Sequence, residues 1–377
     1  MARRLKIAFV VDSARSAGAG GLVAAERVID SLRIDHDVTS IGVGGDVPLP
    51  ALSLPFGDEV AASNSFIFAR PDIDLMFRAF DVADVVHVQL PFFLGYRALA
   101  LAEELRVPVV AGHHVQPENV LRGLSLVAPR LAGTLGSPII ARALNRVMTQ
   151  TFYNRATALI CPSQFSLDEL RASGLTRPAE IISNGAPAQF APLSSRPPGP
   201  FTVLTVGRLV PEKRHDLVIE AVRRSKYAAS LRLVIAGRGP LRERLEAQAR
   251  GLPGGVEFGF KSDDELLRLY QTADLYVHAS EVELEGMAVL EAMRCGCPAV
   301  TSDSGSSATK QFALDAAHVF RTGDVQALTA RLDDWFENPA RLAQRRQKTL
   351  TAVKDYGLEN TVAAYQRLYE RVASRRC

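Results

Sequence analysis

Short apolar runs alternate along the chain with longer stretches in which apolar and polar positions mix at helical spacing. The run at 7–11, Ile-Ala-Phe-Val-Val, has no polar alternation and predicts a strand buried on both faces of a sheet. Further strands are predicted at 36–41, 85–88, 107–110 and 158–161, with helices at 22–32 and 97–105. Residues 187–200 break the pattern, and their five prolines without a regular period read as a linker. A second series follows it. Its strands are predicted at 201–206, 231–236, 256–258, 275–278 and 299–301, and its helices at 215–225, 241–250, 262–271 and 289–295. Such alternation predicts an α/β protein of two doubly wound, Rossmann-like domains, each with a parallel sheet covered on both faces. Ligands bind such sheets at the carboxyl ends of strands, so a cleft between the two domains is the expected site.

The 377 residues are enough for two domains with a core each. With 47% hydrophobic and 23% charged residues, disordered and fibrous classes are excluded. The net charge of +3 is too small to indicate a nucleic-acid partner. The first apolar run stops at Asp12, too short for the core of a signal peptide, and no stretch reaches the roughly 18 apolar residues of a membrane span. The expected location is the cytoplasm, with peripheral attachment to the inner face of the plasma membrane left open. Cys161, Cys295, Cys297 and Cys377 form no C-x-x-C pair, and no histidine cluster has metal-ligand spacing, so no metal is expected.

Four places carry candidate chemistry. Gly18-Ala-Gly20-Gly21 lies between the first strand and the first helix, where backbone N–H groups hold phosphate or simply make a tight turn. Val23 stands where a dinucleotide fingerprint needs its third glycine, which argues against a nicotinamide enzyme. Gly207-Arg208-Leu-Val-Pro-Glu-Lys213 follows the first strand of the second series. Its Arg and Lys suit a diphosphate, one through a planar fork and the other as a point charge; two solvated surface charges are the alternative. Glu283 and Glu291 stand eight apart with Gly286 between them, opening a helix whose N-terminus favours phosphate while the carboxylates accept from sugar hydroxyls. His113-His114 closes a predicted strand, either at a site or as buried, hydrogen-bonded histidines.

Together these residues resemble the retaining glycosyltransferases of GT-B fold, in the large E-x7-E family (glycosyltransferase family 4-like) that includes sucrose synthases, bacterial mannosyltransferases and glycolipid synthases. Asp84-Val-Val-His87 is similar to the family's DVVH strand, Asn184-Gly185 to its NG loop, Gly207–Lys213 to GRLxxxK, Gly237-Arg-Gly-Pro240 to GxGP, and Glu283–Glu291 to the E-x7-E motif. His36-Asp-Val resembles the GHxV strand entry, with Asp35 in place of its glycine.

The resemblance implies an acceptor-side domain over 1–187, a linker over 188–200, a nucleotide-sugar domain over 201–355 and a final helix over 356–377 that crosses back onto the first domain. It implies that Arg208 and Lys213 neutralise the leaving diphosphate without a metal. Glu283 would contact the donor sugar and Glu291 the ribose. The amides of Met287 and Ala288 would face sugar and phosphate, Gly20 and Gly21 would close over the phosphates, Phe260 would line the base pocket, and His114 would touch the sugar near its reacting carbon. The implied activity is transfer of a hexose-type sugar, from a UDP- or GDP-sugar and with retention, in glycolipid or surface polysaccharide synthesis. No cofactor is implied beyond the donor.

The family's usual GGxPE is replaced by Ser304-Gly-Ser-Ser-Ala-Thr-Lys310, Arg238 stands where many members have an acid, and Leu284-Glu285 replaces a common Pro-Phe. These departures bear on the donor's identity. A GT-B epimerase, a phosphorylase and a non-catalytic sugar-nucleotide-binding protein are the alternatives.

One segment bears on the acceptor. From Asn119 to Leu167 there is no Asp or Glu, while Arg122, Arg130, Arg142, Arg146 and Arg155 are present. A helix starting at Pro138 is predicted to carry Ile140, Leu144, Val147, Met148 and Phe152 on one face, with Arg142 and Arg146 beside it. Such a basic amphipathic helix suits an anionic membrane and a lipid or lipid-linked acceptor; packing on the sheet is the alternative.

Overall fold

The computed structural model describes residues 3–13, 20–53, 66–127 and 137–374. Gly18 and Arg130 lie outside them. The chain divides into two compact units, one of Met1–Gly185 with Leu358–Cys377 and the other of Ala186–Gly357.

The first unit is built on a seven-stranded sheet whose paired strands run parallel. Its elements are β1 (Lys6–Ser13), α1 (Gly20–Leu32), β2 (Asp37–Val43), β3 (Val47–Pro48), α2 (Ile73–Asp81), β4 (Val85–Val88), α3 (Phe93–Glu104), β5 (Val109–Gly112), α4 (Pro117–Val127), α5 (Pro138–Thr151), β6 (Ala158–Cys161), α6 (Gln164–Ala172) and β7 (Ala179–Ile181). The strand order is β3-β2-β1-β4-β5-β6-β7. Alternate residues of β1 explain why its run is apolar throughout. Ala8 and Val10 pack with Leu94, Ala98 and Leu99, while Ile7, Phe9 and Val11 pack with Leu22, Ala25 and Val28 of α1.

The second unit repeats the logic with β8 (Phe201–Val206), α7 (His215–Arg224), β9 (Leu231–Ala236), α8 (Arg242–Ala249), β10 (Val256–Gly259), α9 (Asp263–Thr272), β11 (Leu275–His278), β12 (Val282–Glu283), α10 (Met287–Arg294), β13 (Ala299–Ser302), β14 (Ser306–Ser307), β15 (Val319–Phe320), α11 (Val325–Glu337) and α12 (Pro339–Ala352). Its main sheet is β10-β9-β8-β11-β13-β15, and β12 pairs with β14 apart from it. Leu231, Leu233 and Ile235 of β9 face one core, and Val234 and Ala236 face the other. The last helix, α13 (Leu358–Ala373), buries Tyr365, Leu368, Tyr369 and Val372 against the α1 side of the first sheet.

Where element ends differ from expectation, capping and backbone chemistry account for it. The strand expected at 107–110 is Val109–Gly112, because Pro108 has no N–H to offer a ladder. The helix expected at 289–295 begins at Met287, where Gly286 takes a left-handed backbone (φ 100°) before it. Helix α2 was not anticipated; Asp72 caps it by accepting from the Leu75 N–H.

The apolar face expected on α5 is corrected. Ala141, Asn145, Met148 and Thr149 are its buried residues, Val147 is 54% exposed and Ile139 71% exposed. Phe152 lies past the helix end, packed on Tyr96 and Tyr153. Thr149 is accommodated inside by donating to the Asn145 carbonyl at 2.7 Å.

A buried polar chain ties α13 to β4. His87 is fully buried, and burial pushes its imidazole down to about 3, so it is neutral with a single N–H. Its Nε2 lies 3.0 Å from Gln89 Oε1, a pure acceptor, so the proton sits on Nε2. Nδ1 then accepts from the Tyr369 hydroxyl at 2.9 Å. Replacing Tyr369 by Phe strands that acceptor, and a loss of about 1–3 kcal/mol is expected. A urea titration reads it as a lowered midpoint with unchanged slope; an unmoved midpoint would show that the bond carries nothing.

Candidate active site

In the second unit the candidate residues gather at the carboxyl ends of β8 and β11, neighbours where the strand order reverses. β8 leads through Gly207 into Arg208. Gly237, after β9, permits this path, because a Cβ there would lie 1.9 Å from the Gly207 carbonyl oxygen. Buried His215, at the start of α7, pins the loop from beneath. Burial pushes its imidazole to about 4, so it is neutral; Nε2–H donates to the Arg208 carbonyl at 3.2 Å and Nδ1 accepts from the Thr205 hydroxyl at 3.3 Å. The Arg208 guanidinium donates to Glu212 Oε1 at 3.3 Å.

A 3-10 turn, Pro211–Lys213, follows, and Arg214 leaves it in a left-handed backbone (φ 51°). This turn is fastened to the strand segment after β11. The Glu281 N–H donates to the Glu212 carbonyl at 2.9 Å, Arg214 pairs with Glu281, and Lys213 pairs with Glu283. Glu283 Oε1 also accepts from His278 Nε2 at 2.9 Å. Burial would raise the Glu283 pKa, but the Lys213 charge and the His278 hydrogen bond outweigh it and hold the carboxyl below the ordinary carboxylate range. Ser304 supports the segment by donating to the Glu281 carbonyl at 2.6 Å, and β14 pairs Ser307 with Glu283. The serine-rich replacement noted in the sequence therefore lies directly under this carboxylate.

Gly286, beyond Glu283, has no room for a side chain: a Cβ would lie 2.5 Å from Thr309 Cγ2. Met287 and Ala288 open α10, ahead of the first backbone bonds to Gly286, so their amides belong to its N-terminal turn. Glu291, one turn on, is buried and accepts from the Tyr270 hydroxyl at 3.2 Å. Phe260, 53% exposed, carries the Arg238 guanidinium 4.7 Å above its ring.

In the first unit, His113 and His114 directly follow β5 and differ in setting. His113 is fully buried, with Nδ1 2.7 Å from the Ser166 hydroxyl. His114 is half-buried beside Gly21, whose missing Cβ would lie 3.5 Å from the His114 Cβ. Gly112 also serves the ring, since a Cβ on it would be 2.7 Å from His114 Nε2. Gln89 donates to the Gly21 carbonyl at 3.1 Å. Gly20 is the first residue of α1. The fold thus brings Gly20, Gly21 and His114 together, as it brings Arg208, Lys213, Glu283, Met287, Ala288 and Glu291 together. Gln89, His278, Tyr270 and Tyr276 were missed as participants. The one signal for His278 was its place two residues after Tyr276 at a strand's end.

Among the described residues, no group of three or more His, Cys, Asp and Glu side chains is arranged to hold a metal. Cys161, Cys295 and Cys297 are buried free thiols. No helix among the described residues is long and apolar enough to cross a membrane.

Comparison with known proteins adds the following. The profile of the family "Glycosyl transferases group 1" matches residues 191–352, and that of "Glycosyltransferase Family 4" matches residues 24–190. A GDP-mannose-dependent alpha-mannosyltransferase of Mycobacterium tuberculosis is 32% identical over 238 residues, covering 60% of this chain and 57% of that one. An alpha-monoglucosyldiacylglycerol synthase of Streptococcus pneumoniae is 28% identical, covering 62% and 57%. The match thus spans 57% of the length of each of these two relatives. Among solved structures, sucrose-phosphate synthase of Thermosynechococcus elongatus has a TM-score of 0.75 at 17% identity, covering 99% of this chain and all of that one. Anabaena HepE in complex with UDP-glucose has a TM-score of 0.72 at 19% identity, covering 98% and 100%. At these identities the likeness is one of fold.

The buried titratable groups predict how stability depends on pH. His87 and His113 are pushed by burial to about 3, and His114 and His215 to about 4. Each favours the fold above the unfolded histidine value of about 6.5, and that contribution is lost as pH falls toward 4. Burial raises Asp12 and Glu169 to about 7; they act in the opposite sense, with a contribution that is full below about pH 4 and lost as pH rises through 7. Four histidines outweigh two carboxyls, so the denaturant midpoint should be lower at pH 5 than at pH 7. Asp12→Asn, which removes one opposing group, should steepen that fall. A higher midpoint at pH 5 in the wild type would contradict the balance.

Proposed function

The chain belongs to the family 4-type glycosyltransferases of GT-B fold, and from that membership we propose that it moves a hexose from a nucleoside diphosphate sugar to an acceptor with retention of configuration. The observation that carries this reading is the convergence of Arg208, Lys213, Glu283 and the α10 N-terminus at the ends of β8 and β11. Cations and a helix N-terminus suit a diphosphate, and a carboxylate held ionised accepts from sugar hydroxyls.

In the proposed reaction the bond from the anomeric carbon to the diphosphate breaks while the acceptor oxygen bonds to that carbon on the same face. The acceptor's proton passes to the departing diphosphate. Arg208 and Lys213 stabilise the charge that develops on it, so neither a protein nucleophile nor a metal is needed. Glu283 orients the sugar, Glu291 meets the ribose, the Met287 and Ala288 amides meet sugar and phosphate, and Phe260 lines the base pocket. On the first unit, His114 contacts the sugar, while Gly20 and Gly21 close on the phosphates. The mannosyltransferase relative is named for GDP-mannose and HepE was solved with UDP-glucose, so both bases belong in the donor screen.

The acceptor is proposed to be a lipid or lipid-linked molecule at an anionic membrane. On α5, Ile139 and Val147 are exposed together with Arg142 and Arg146, an apolar and basic surface suited to a lipid headgroup layer. The monoglucosyldiacylglycerol synthase relative is named for a glycolipid product.

Donor screening by mass spectrometry tests the reaction class, and activity should survive EDTA. Arg208→Ala and Lys213→Ala should each lose about 1.5–3 kcal/mol of transition-state stabilisation, roughly 10- to 150-fold in kcat/KM. Glu291→Gln should mainly weaken nucleoside diphosphate binding by calorimetry, and Glu283→Gln should mainly lower kcat. Wild-type rates in both cation variants would remove the assignment, and turnover restored to EDTA-treated enzyme by magnesium or manganese would remove metal independence. For the acceptor, liposome flotation should rise with anionic lipid, fall with salt and weaken in Arg142→Glu/Arg146→Glu. Absence of flotation on every composition, with efficient transfer to a water-soluble acceptor, would refute the membrane reading alone.

A further inference from the structure

Lys213 is committed twice. Its ammonium lies on Glu283, yet the proposed reaction requires it on a diphosphate. If Lys213 leaves, Glu283 loses its nearest positive charge while its side chain stays 16% exposed, and a carboxylate in that setting needs another donor to keep its place. His278 is that donor. Its side chain is 5% exposed, it ends β11, and its Nε2 lies 2.9 Å from the same oxygen, Oε1, that Lys213 holds.

The contacts on both sides of His278 fix its orientation. Nε2 faces a carboxylate oxygen, which only accepts, so Nε2 carries a proton and donates to Glu283. Nδ1, on the other side of the ring, lies 3.1 Å from the Tyr276 hydroxyl oxygen. Tyr276 is buried two residues earlier on the same strand, with its ring stacked on that of His278 at 23°. Its hydroxyl donates to the Val206 carbonyl at the end of β8, at 3.2 Å. The three side chains form a line from the floor of the sheet to Glu283. Among the described residues Oε2 of Glu283 has no hydrogen-bond partner, which leaves that oxygen for a ligand.

We infer that His278, backed by Tyr276, is a positioning residue: it keeps Glu283 aimed at the donor sugar when Lys213 exchanges that carboxylate for the donor's diphosphate. This rests on the glycosyltransferase reading. It assigns Lys213 two successive partners and gives His278 a role that does not require it to touch substrate.

Two experiments on the full chain test it. The first is a crystal structure with a nucleoside diphosphate, UDP or GDP. Lys213 should lie on the phosphates, with Glu283 still on His278. A bound diphosphate with Lys213 unmoved, or Glu283 detached from His278, overturns the exchange alone. No binding of either diphosphate overturns the transferase reading and the exchange with it. The second is kinetic. His278→Leu should lower kcat by about tenfold or more while leaving KM for the donor and diphosphate affinity within about twofold. His278→Gln, whose amide can donate to the same oxygen, should recover most of that loss. Should the Leu variant fail to fold, Tyr276→Phe removes the supporting hydroxyl and should show the same kcat-selective loss in smaller measure. Wild-type kcat in the Leu or Phe variant overturns the role. So does a Gln variant no better than Leu, or a loss shared equally between kcat and diphosphate affinity.

Discussion

The pairing of the turn at 212–214 with the strand segment at 281–283 is the contact on which the second unit's site depends. Lys213 and Arg214 are adjacent, Glu281 and Glu283 are two residues apart, and each cation takes one of these two carboxylates, Arg214 pairing with Asp216 as well. Adjacent side chains on a regular backbone would diverge; the left-handed conformation at Arg214 turns the pair so that both reach the same segment. A main-chain bond from Glu281 to Glu212 fixes the register between the two. Arg208, Glu283 and α10 inherit their places from this junction. These part-buried ion pairs mainly specify geometry, since withdrawing ions from water offsets much of what pairing returns.

The first unit solves a similar problem without charge. His87, Gln89 and Tyr369 form a line of single-proton hydrogen bonds that ends on the Gly21 carbonyl. Each donor has one acceptor, so the line has one consistent arrangement and the residues it touches are held to it. The chain's last helix thereby bears on the first turn of α1, through a path that runs along the central strand β4.

Much of this was legible along the sequence, and the reasons for the remainder are physical. The strands of both sheets stand out because a parallel sheet covered on both faces needs near-continuous apolar runs, which residues 7–11 of β1 and 233–236 of β9 supply. Arg208, Lys213, Glu283 and Glu291 stand out through local spacing. The contact between Lys213 and Glu283 does not, because 70 residues separate them and only the adjacency of β8 and β11 brings them together. His278 did not stand out, because one histidine on an apolar strand says little of what lies beyond the strand's end. On α5 the periodicity misled: polar Asn145 and Thr149 take buried positions, the Thr149 hydroxyl donating to the Asn145 main-chain carbonyl, and apolar Val147 is left outside.

If Lys213 meets the donor's diphosphate as proposed, its resting contact with Glu283 also bears on which anions bind there. A lysine standing alone attracts any small phosphate, and inorganic phosphate would compete for it. Here an isolated anion must first displace a carboxylate that is already paired, and it offers Glu283 nothing in return. A molecule that carries phosphate and several hydroxyl groups on one skeleton replaces both partners at once, giving the cation an anion and the carboxylate a donor. On the proposed reading the ion pair weights binding toward a ligand that carries phosphate and sugar together, while a nucleoside diphosphate alone still gains from Arg208 and the α10 N-terminus.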